Sequence, residues 1–292
     1  MSDRQAIDAA LLGTLPLPRH GDDADKDARG RIMAIGGSRA VPGALLLSGV
    51  AALRAGAGKL QLATVVSVAP HIGVAVPEAL VVALAETEAG DIAPAGIDAL
   101  LPRLHRCDAV LIGPGMLDED MAAAVTLRVL SADGPAFVID AGALCDLTAG
   151  TLDRHGGRIV LTPHAGEMAR LTGLSIEDIA ADPPAVAARA AAELGAVVAL
   201  KGGRTVIATP DGRTWEYSQG RVGLATSGSG DTLAGVIAGL LARGAAPHEA
   251  AIWGVYLHGE AGNRLSASRG PVGFLARELL AEIPAIMAEQ AR

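Results

Sequence analysis

Short runs of β-branched and aliphatic residues alternate with Ala- and Leu-rich stretches along the 292-residue chain, and this alternation constrains the fold more than any other feature. Short buried runs of this kind are typical of strands in a parallel sheet. Seven are predicted: 32–35, 60–66, 80–84, 109–112, 136–139, 159–161 and 196–200. Between them, apolar residues have helical spacing, as in 44–55, which Gly56 and Gly58 close. Such alternation predicts an α/β fold, a mainly parallel sheet between two layers of helices.

The pattern changes near residue 205. Two strand-like runs, 205–208 and 214–218, flank the turn Thr209-Pro210-Asp211-Gly212, and this arrangement predicts a late β-hairpin. No Pro- or Ser-rich linker and no internal repeat divides the chain. We therefore expect a single domain over residues 31–292, preceded by a loose or helical N-terminal arm over residues 1–30.

Charge and cysteine content exclude several classes of protein. The net charge of −8 gives no diffuse attraction for a phosphate backbone, so we expect no nucleic-acid partner. No apolar run approaches the ~18 residues of a membrane span, and residues 1–30 lack the basic and apolar regions of a signal peptide. The two cysteines, Cys107 and Cys145, form neither a disulfide framework nor a zinc-binding pattern. We expect a cytoplasmic protein with small-molecule partners and no membrane attachment.

Glycine and small polar residues follow five of the predicted strands. In an open parallel sheet, ligands bind beyond the carboxyl ends of the strands. The five strand ends are Gly36-Gly37-Ser38, Gly113-Pro114-Gly115, Asp140-Ala141-Gly142, Thr162-Pro163-His164 and Lys201-Gly202-Gly203. Turns use glycine in any case, but the recurrence of this composition favours a ligand-binding rim at one edge of the sheet.

The segment that follows the hairpin predicts an anion-binding helix start. Apolar residues recur at helical spacing from Leu233 onward, so a helix is expected to begin at about Asp231. The preceding Gly228, Ser229 and Gly230 can direct backbone N–H groups at one point, where the helix dipole adds positive charge. Asp231 is alternatively an ordinary N-cap. Because capping does not require the glycines, we favour an anion hole with Asp231 beside it as a general base.

Two other strand ends carry candidate site residues, each with a plain structural alternative. His164 lies at the expected rim, where it would donate a hydrogen bond to a substrate, or it caps the next helix with an exposed ring. Lys201 would meet a nucleotide phosphate while Gly202 and Gly203 let the backbone approach, or it is a solvated lysine at a tight turn. The residues alone leave both pairs of alternatives open.

Two familiar phosphate-binding motifs are absent. The stretch Gly56-Ala57-Gly58-Lys59-Leu60 resembles the end of a P-loop, but it has Leu60 where Ser or Thr would coordinate magnesium. No Gly-x-Gly-x-x-Gly pattern follows the first predicted strand. A dehydrogenase-type dinucleotide fold is therefore unsupported.

Seven motifs follow one another in a fixed order from about Lys26 to the C-terminus. They are Ile35-Gly36-Gly37-Ser38 with Pro42-Gly43-Ala44, Ile112-Gly113-Pro114-Gly115, Asp140-Ala141-Gly142-Ala143-Leu144, Leu161-Thr162-Pro163-His164-Ala165-Gly166-Glu167, Lys201-Gly202 with Thr205, Gly228-Ser229-Gly230-Asp231 and Tyr256-Leu257-His258-Gly259. With these motifs in this order, the chain resembles the ADP-dependent NAD(P)H-hydrate dehydratases. These are ribokinase-like repair enzymes, so the resemblance implies a ribokinase-like three-layer αβα sandwich.

The resemblance implies a hydro-lyase reaction that repairs nicotinamide nucleotides. ADP phosphorylates the hydroxyl of the (6S)-hydrate of NADH or NADPH, and elimination of phosphate restores the reduced nicotinamide and leaves AMP. Asp231 would take the hydroxyl proton, and the amides of Gly228 to Asp231 would hold the phosphoryl group. The hydrated dinucleotide would contact positions matching Ala44, Gly115, His164 and Asp231. The nucleotide would contact positions matching Lys201, Gly202, Gly203, Arg204, Thr205 and Gly230.

The resemblance also implies Mg²⁺ held mainly through phosphates rather than by a protein metal site. A stand-alone dehydratase is expected, because the chain is too short for the epimerase domain to which this module is often fused. A homo-oligomer is expected, with a tetramer as one form. Two rivals stay open: a hydroxyethylthiazole-type small-molecule kinase and a non-catalytic nucleotide sensor. With only six aromatic residues in the chain, we expect ring binding through backbone and aliphatic contacts more than through stacking.

The chain departs from the family pattern in two places. Residues 25–30 replace the family's usual His-Lys-Gly and aromatic before the first strand, and Thr226-Ser227 replaces a more Gly-rich approach to the anion hole. Neither change removes a group that the chemistry needs.

Overall fold

The computed structural model describes residues 4–19, 21, 23 and 25–290, which form one ten-stranded sheet flanked by helices. The strands are β1 (Gln5–Ala6), β2 (Arg31–Ile35), β3 (Lys59–Val65), β4 (Ala79–Leu84), β5 (Ala109–Ile112), β6 (Ala136–Ile139), β7 (Ile159–Leu161), β8 (Val197–Leu200), β9 (Thr205–Ala208) and β10 (Thr214–Tyr217). The helices are α1 (Ala9–Thr14), α2 (Pro42–Arg54), α3 (Ala69–Ala75), α4 (Leu101–Leu104), α5 (Glu119–Val129), α6 (Ala149–Leu152), α7 (Ala165–Thr172), α8 (Ile176–Ala181), α9 (Pro183–Leu194), α10 (Ser229–Ala242), α11 (Pro247–Arg269) and α12 (Ala276–Gln290).

The strand order across the sheet is β1-β10-β9-β8-β7-β6-β5-β2-β3-β4. The strands from β8 to β4 in this order are parallel, and β9 pairs antiparallel with both β8 and β10. The seven predicted strands and the hairpin are confirmed, each boundary within one residue. The prediction for α10 was wrong by two residues, because the helix begins at Ser229 rather than at Asp231.

The sheet separates two hydrophobic cores. Successive side chains of a strand point to opposite faces of the sheet, so each buried strand contributes residues to both cores. In β2, Ile32 and Ala34 belong to the core beneath α2, α10, α11 and α12, while Met33 and Ile35 belong to the core beneath α5 and α9. The predicted three-layer α/β architecture is therefore confirmed. Among the described helices, none is long and apolar enough to cross a membrane.

Helices α2 and α10 cross closely, and glycines at the crossing make this possible. A Cβ on Gly235 would lie 2.1 Å from the Ser48 carbonyl oxygen, and one on Gly239 would lie 2.4 Å from the Ala52 carbonyl oxygen. Real Cβ atoms do not approach backbone oxygen this closely, so only glycine fits at either position. The crossing fixes the start of α10 beside the first turns of α2.

The described part of the N-terminal arm packs on the rest of the molecule. β1 pairs parallel with β10, with Gln5 opposite Trp215, and it forms an edge of the sheet that the sequence did not indicate. Leu11 and Leu12 of α1 are buried, and the Trp253 indole N–H donates to the Leu15 carbonyl at 2.7 Å. The expected boundary between arm and domain at residue 30 stays a prediction.

Candidate active site

Five strand ends form a continuous rim at the carboxyl edge of the sheet, because β2, β5, β6, β7 and β8 are adjacent and parallel. The Gly37 N–H donates to the Pro114 carbonyl at 2.7 Å. A Cβ on Gly113, whose φ is +118°, would lie 1.8 Å from the Asp140 carbonyl oxygen. His164 and Lys201 form a parallel bridge that continues the pairing of β7 with β8. The predicted rim is therefore one connected surface.

The start of α10 leaves three backbone amides open. Gly228 is the N-cap, with a φ of +85° and no capping side chain, so Asp231 lies inside the first turn and is not the N-cap. The Ser229 amide donates to the Thr226 carbonyl at 3.2 Å, whereas the amides of Gly228, Gly230 and Asp231 find no acceptor within the described residues. Such free amides at a helix start suit an anion.

Ser229 also contributes a hydroxyl that is fixed by a histidine. Its Oγ lies 2.8 Å from Nε2 of His258, which comes from α11. Burial lowers the pKa of His258 to about 4, so the ring is neutral at pH 7. The sequence indicated His258 only as part of a family motif, because a histidine in the middle of a helix carries no local signal of a site.

Lys201 lies in a buried cluster rather than in solvent. Its Nζ donates to Asp140 Oδ1 at 2.7 Å and lies 3.7 Å from Glu167 Oε2. The same Asp140 oxygen accepts from Thr162 Oγ1 at 2.7 Å. A Cβ on Gly230 would lie 3.4 Å from Lys201 Nζ, so the ammonium group faces the first turn of α10. The alternative of a solvated lysine is therefore not observed.

Burial and neighbouring charges shift the pKa values in this cluster. Burial raises the pKa of Asp231 to about 6, the charge of Asp140 and Glu167 adds to the rise, and Lys201 opposes it. Burial likewise raises the pKa of Glu167. Burial alone would lower the pKa of Lys201, but the negative charges of Asp140 and Glu167 raise it overall. A carboxylate with a pKa close to neutrality is suited to general base catalysis.

His164 caps α7, and its ring also borders the site. Nδ1 accepts from the amides of Gly166 at 3.0 Å and Glu167 at 3.2 Å, and Glu167 Oε2 accepts from the His164 amide at 2.7 Å. Because Nδ1 is an acceptor in this capping box, Nε2 carries the proton. Nε2 lies 3.3 Å from Glu167 Oε1, and the ring is 56% exposed, so a ligand that accepts from this N–H would compete with Glu167. Both alternatives for His164 are thus compatible with the geometry.

A cavity of about 770 Å³ lies on the β8–β10 side of the rim. Its lining includes most of the predicted nucleotide-binding residues: Lys201, Gly202, Gly203, Thr205 and Gly230. Aliphatic side chains such as Leu224 and Leu233 form its apolar wall, and one aromatic ring, that of Tyr217, borders it. Arg204 is not among the lining residues; its side chain is 72% exposed and reaches toward Glu216.

Ala44 and Gly115 lie together, away from the cavity. A Cβ on Gly115 would lie 3.1 Å from the Ala44 Cβ and 3.1 Å from the Gly37 Cα, which places both residues at the ends of β2 and β5. Since β6 and β7 lie between these strands and β8, Asp140 is between the two parts of the site. The start of α10 reaches this side as well, because Leu47 of α2 packs against Gly228.

The fold and this site define a ribokinase-like protein. A ribokinase-like superfamily protein from Enterococcus faecalis has a similar solved structure, with a TM-score of 0.82 and 28% identity over 99% of this chain and 96% of that chain. The chain belongs to the NAD(P)H-hydrate dehydratase family, whose family model matches residues 32–285.

Two relatives are similar over nearly their whole lengths. The ADP-dependent (S)-NAD(P)H-hydrate dehydratase of Xanthomonas campestris pv. campestris is 48% identical over 97% of this chain and 96% of its own. The ADP/ATP-dependent NAD(P)H-hydrate dehydratase of Bacillus subtilis, co-crystallized with ATP and Mg²⁺, has a TM-score of 0.86 and is 32% identical, with 99% of each chain covered. The resemblance found in the sequence motifs is confirmed.

Proposed function

We propose that the protein is a hydro-lyase that repairs nicotinamide nucleotides by ADP-dependent dehydration of the (6S)-hydrates of NADH and NADPH. Family membership supports this function. The observation that carries it is the Asp231 carboxylate, which has a raised pKa and lies beside open helix amides and the Lys201 ammonium group. A base, an anion hole and a cation at one point are what phosphoryl transfer to a hydroxyl requires.

In the proposed reaction, Asp231 accepts the proton of the substrate hydroxyl. The hydroxyl oxygen attacks the β-phosphorus of ADP, and AMP leaves. The amides of Gly230 and Asp231, with Gly228 and Ser229 shaping the helix start, stabilise the transferring group. The bond between the substrate carbon and the phosphorylated oxygen then breaks, and phosphate leaves. The nicotinamide ring loses a proton, which restores the double bond of the reduced nicotinamide. Catalysis of this kind rests on positioning and charge neutralisation.

The two parts of the site accommodate the two substrates in this proposal. ADP occupies the cavity lined by Lys201, Gly202, Gly203, Thr205 and Gly230. Arg204 would contact ADP through its backbone, because its side chain points away from the cavity. The hydrated nicotinamide end lies along Ala44 and Gly115, and His164 Nε2–H donates to it.

Mg²⁺ fits this site only through the nucleotide. No group of three metal-ligating side chains occurs within residues 4–19, 21, 23 and 25–290. Besides the proposed base Asp231, the acidic side chains of the site are Asp140 and Glu167, and both face Lys201. We therefore propose that phosphate oxygens hold the ion, which when bound neutralises phosphate charge.

The cellular setting and assembly are proposed on chemical grounds. Reduced nicotinamide nucleotides and ADP are cytoplasmic metabolites, so we propose a cytoplasmic protein.

Ala-rich helices can pack closely against those of another copy, so we propose a homo-oligomer built from one domain over residues 31–292 and its arm. Light scattering during size-exclusion chromatography distinguishes a monomer from a tetramer.

Purified protein incubated with hydrated NADH, Mg²⁺ and ADP is expected to restore reduced-nicotinamide absorbance and release AMP and phosphate. The same reaction without nucleotide is the control, and a parallel reaction with ATP determines nucleotide preference. A phosphorylated product that accumulates without restored absorbance would indicate a small-molecule kinase. Tight ADP binding with no chemical change under any condition would indicate a nucleotide sensor.

The pH dependence of the reaction is expected to follow Asp231. Its carboxyl must be ionised to accept a proton, and its pKa is about 6. The value of kcat/KM should therefore be constant near pH 8 and fall by about tenfold per unit below pH about 6. Initial rates between pH 4.5 and 8.5, with ADP binding measured at each pH as control, test this. A kcat/KM that stays constant down to pH 4.5 would contradict a catalytic base with the raised pKa of Asp231.

A further inference from the structure

Asp140 is a buried carboxylate that the proposed reaction does not use directly. It is 2% exposed, it follows β6 in the middle of the rim, and it is absent from the cavity lining. One oxygen, Oδ1, accepts two hydrogen bonds of 2.7 Å, from Thr162 Oγ1 and from Lys201 Nζ. Asp140 can therefore act on the reaction through the groups that it holds and through its charge, which contributes to the raised pKa of Asp231.

Lys201 is the group through which Asp140 acts. The Lys201 backbone is fixed by its N–H bond to the Pro163 carbonyl at 2.8 Å, but its side chain has a second acceptor, Glu167 Oε2, at 3.7 Å. The shorter contact with Asp140 selects one direction for the ammonium group. In that direction Nζ lies against Gly230, whose amide is open to an anion.

We propose that Asp140 is a positioning residue for the proposed reaction. Asp140 holds the Lys201 ammonium group over the first turn of α10, where the transferring phosphoryl group binds. The inference rests on the proposed function, since it assigns a phosphoryl group to that point. A buried ion pair contributes little net stability compared with an apolar pair of similar size. Placement of the cation, rather than stability, is what this pair provides.

The charged groups that face Asp231 make the proposal testable by pH. These groups are Asp140 after β6, Glu167 in α7 and Lys201 after β8. His258 of α11 also lies at the start of α10, but it is neutral at pH 7 and adds no charge. Removing the negative charge of Asp140 stabilises ionised Asp231, whereas removing the positive charge of Lys201 destabilises it. The two substitutions must therefore move the acid limb of the rate profile in opposite directions.

The experiment compares Asp140→Asn, Lys201→Met and Thr162→Val with the wild type in the hydrate assay. Asp140→Asn is expected to lower kcat by about 10²-fold, the effect of a misplaced catalytic group, and to move the acid limb to lower pH. Lys201→Met should also lower kcat but move the limb to higher pH. Thr162→Val keeps the charge, so we expect a loss of about tenfold with the limb unmoved.

Asp133→Asn is the matched control, because Asp133 is exposed and precedes the same strand at the opposite edge of the sheet. It should retain wild-type kcat and pH profile. Wild-type kcat in Asp140→Asn would overturn the proposal even if the acid limb moves, because loss of the Asp140 charge shifts the limb whether or not Lys201 is displaced. If Asp140→Asn does not fold, Thr162→Val decides: a reduced kcat supports positioning, and an unchanged kcat overturns it. An inactive wild type, by contrast, would refute the proposed function itself.

Discussion

Replacing Asp231 with Asn is expected to reduce turnover of hydrated NADH by about 10²- to 10⁴-fold while ADP binding changes little. Asn has nearly the same shape but cannot accept the hydroxyl proton. The amides of Gly230 and Asp231 and the Lys201 side chain stay in place, so the nucleotide site is retained. Single-turnover rates and ADP titration calorimetry on the same preparation measure the two effects separately.

The same substitution is expected to stabilise the protein at neutral pH. The pKa of Asp231 is about 6 in the folded protein and has an ordinary value of 3.8. A carboxyl with a raised pKa favours folding below its unfolded pKa, and this contribution is lost as pH rises through about 6. At pH 7, Asp231→Asn should therefore increase the free energy of unfolding by about 1–3 kcal/mol. At pH 4 the gain should nearly vanish.

Urea denaturation of Asp231→Asn and wild type at both pH values tests the stability effect. Asp133→Asn is again the control, since its carboxylate is 72% exposed and its removal should be almost neutral. Loss of ADP binding together with turnover would contradict a purely chemical role for Asp231. Equal stability of the two proteins at pH 7 would contradict the raised pKa.

Gly235→Ala is expected to destabilise the fold by about 2–3 kcal/mol. The new Cβ would lie 2.1 Å from the Ser48 carbonyl oxygen, and backbone on both sides prevents relief by side-chain rotation. Alanine has a higher helix propensity than glycine by up to about 1 kcal/mol. For a net loss of stability, moving α2 away from α10 to make room for the Cβ must cost more than this gain. Because the crossing positions the start of α10, turnover should fall as well.

Gly43→Ala provides the matched control for the helix crossing. Gly43 is also helical, in the first turn of α2, and a Cβ there meets nothing within 4 Å. This variant should match the wild type or exceed it slightly in urea midpoint. If Gly235→Ala has the same midpoint as Gly43→Ala, the close packing of α2 on α10 does not contribute to stability as we expect.

The strands and the rim could be predicted because each has a local cause. A short aliphatic run such as 109–112 that ends in glycine is typical of a buried strand, and parallel strands bring their carboxyl ends to one edge. The start of α10 was placed two residues late because the apolar helical spacing begins only at Leu233. In the structure Gly228, in the left-handed region, takes the cap position, and this choice depends on the path of the preceding loop.

Other parts of the site depend on contacts between distant residues and carry no local signal. Asp140 after a strand reads as a turn residue, and only the pairing of β6, β7 and β8 places Lys201 against it. Arg204 lies between the cavity-lining residues Gly203 and Thr205 in sequence, but its side chain turns toward Glu216. The family motifs predict the region of the site, but they carry no information on these side-chain directions.

The edge strand β1 has a consequence for how the chain folds. Gln5 Oε1 accepts from the Trp215 indole N–H, a contact that spans 210 residues. During synthesis the arm must therefore wait until most of the chain has emerged before β10 exists to receive it. Closing so long a loop is slow relative to forming neighbouring βα units. Until the arm docks, β10 is an edge strand with open backbone groups, the kind of edge that can pair with another chain.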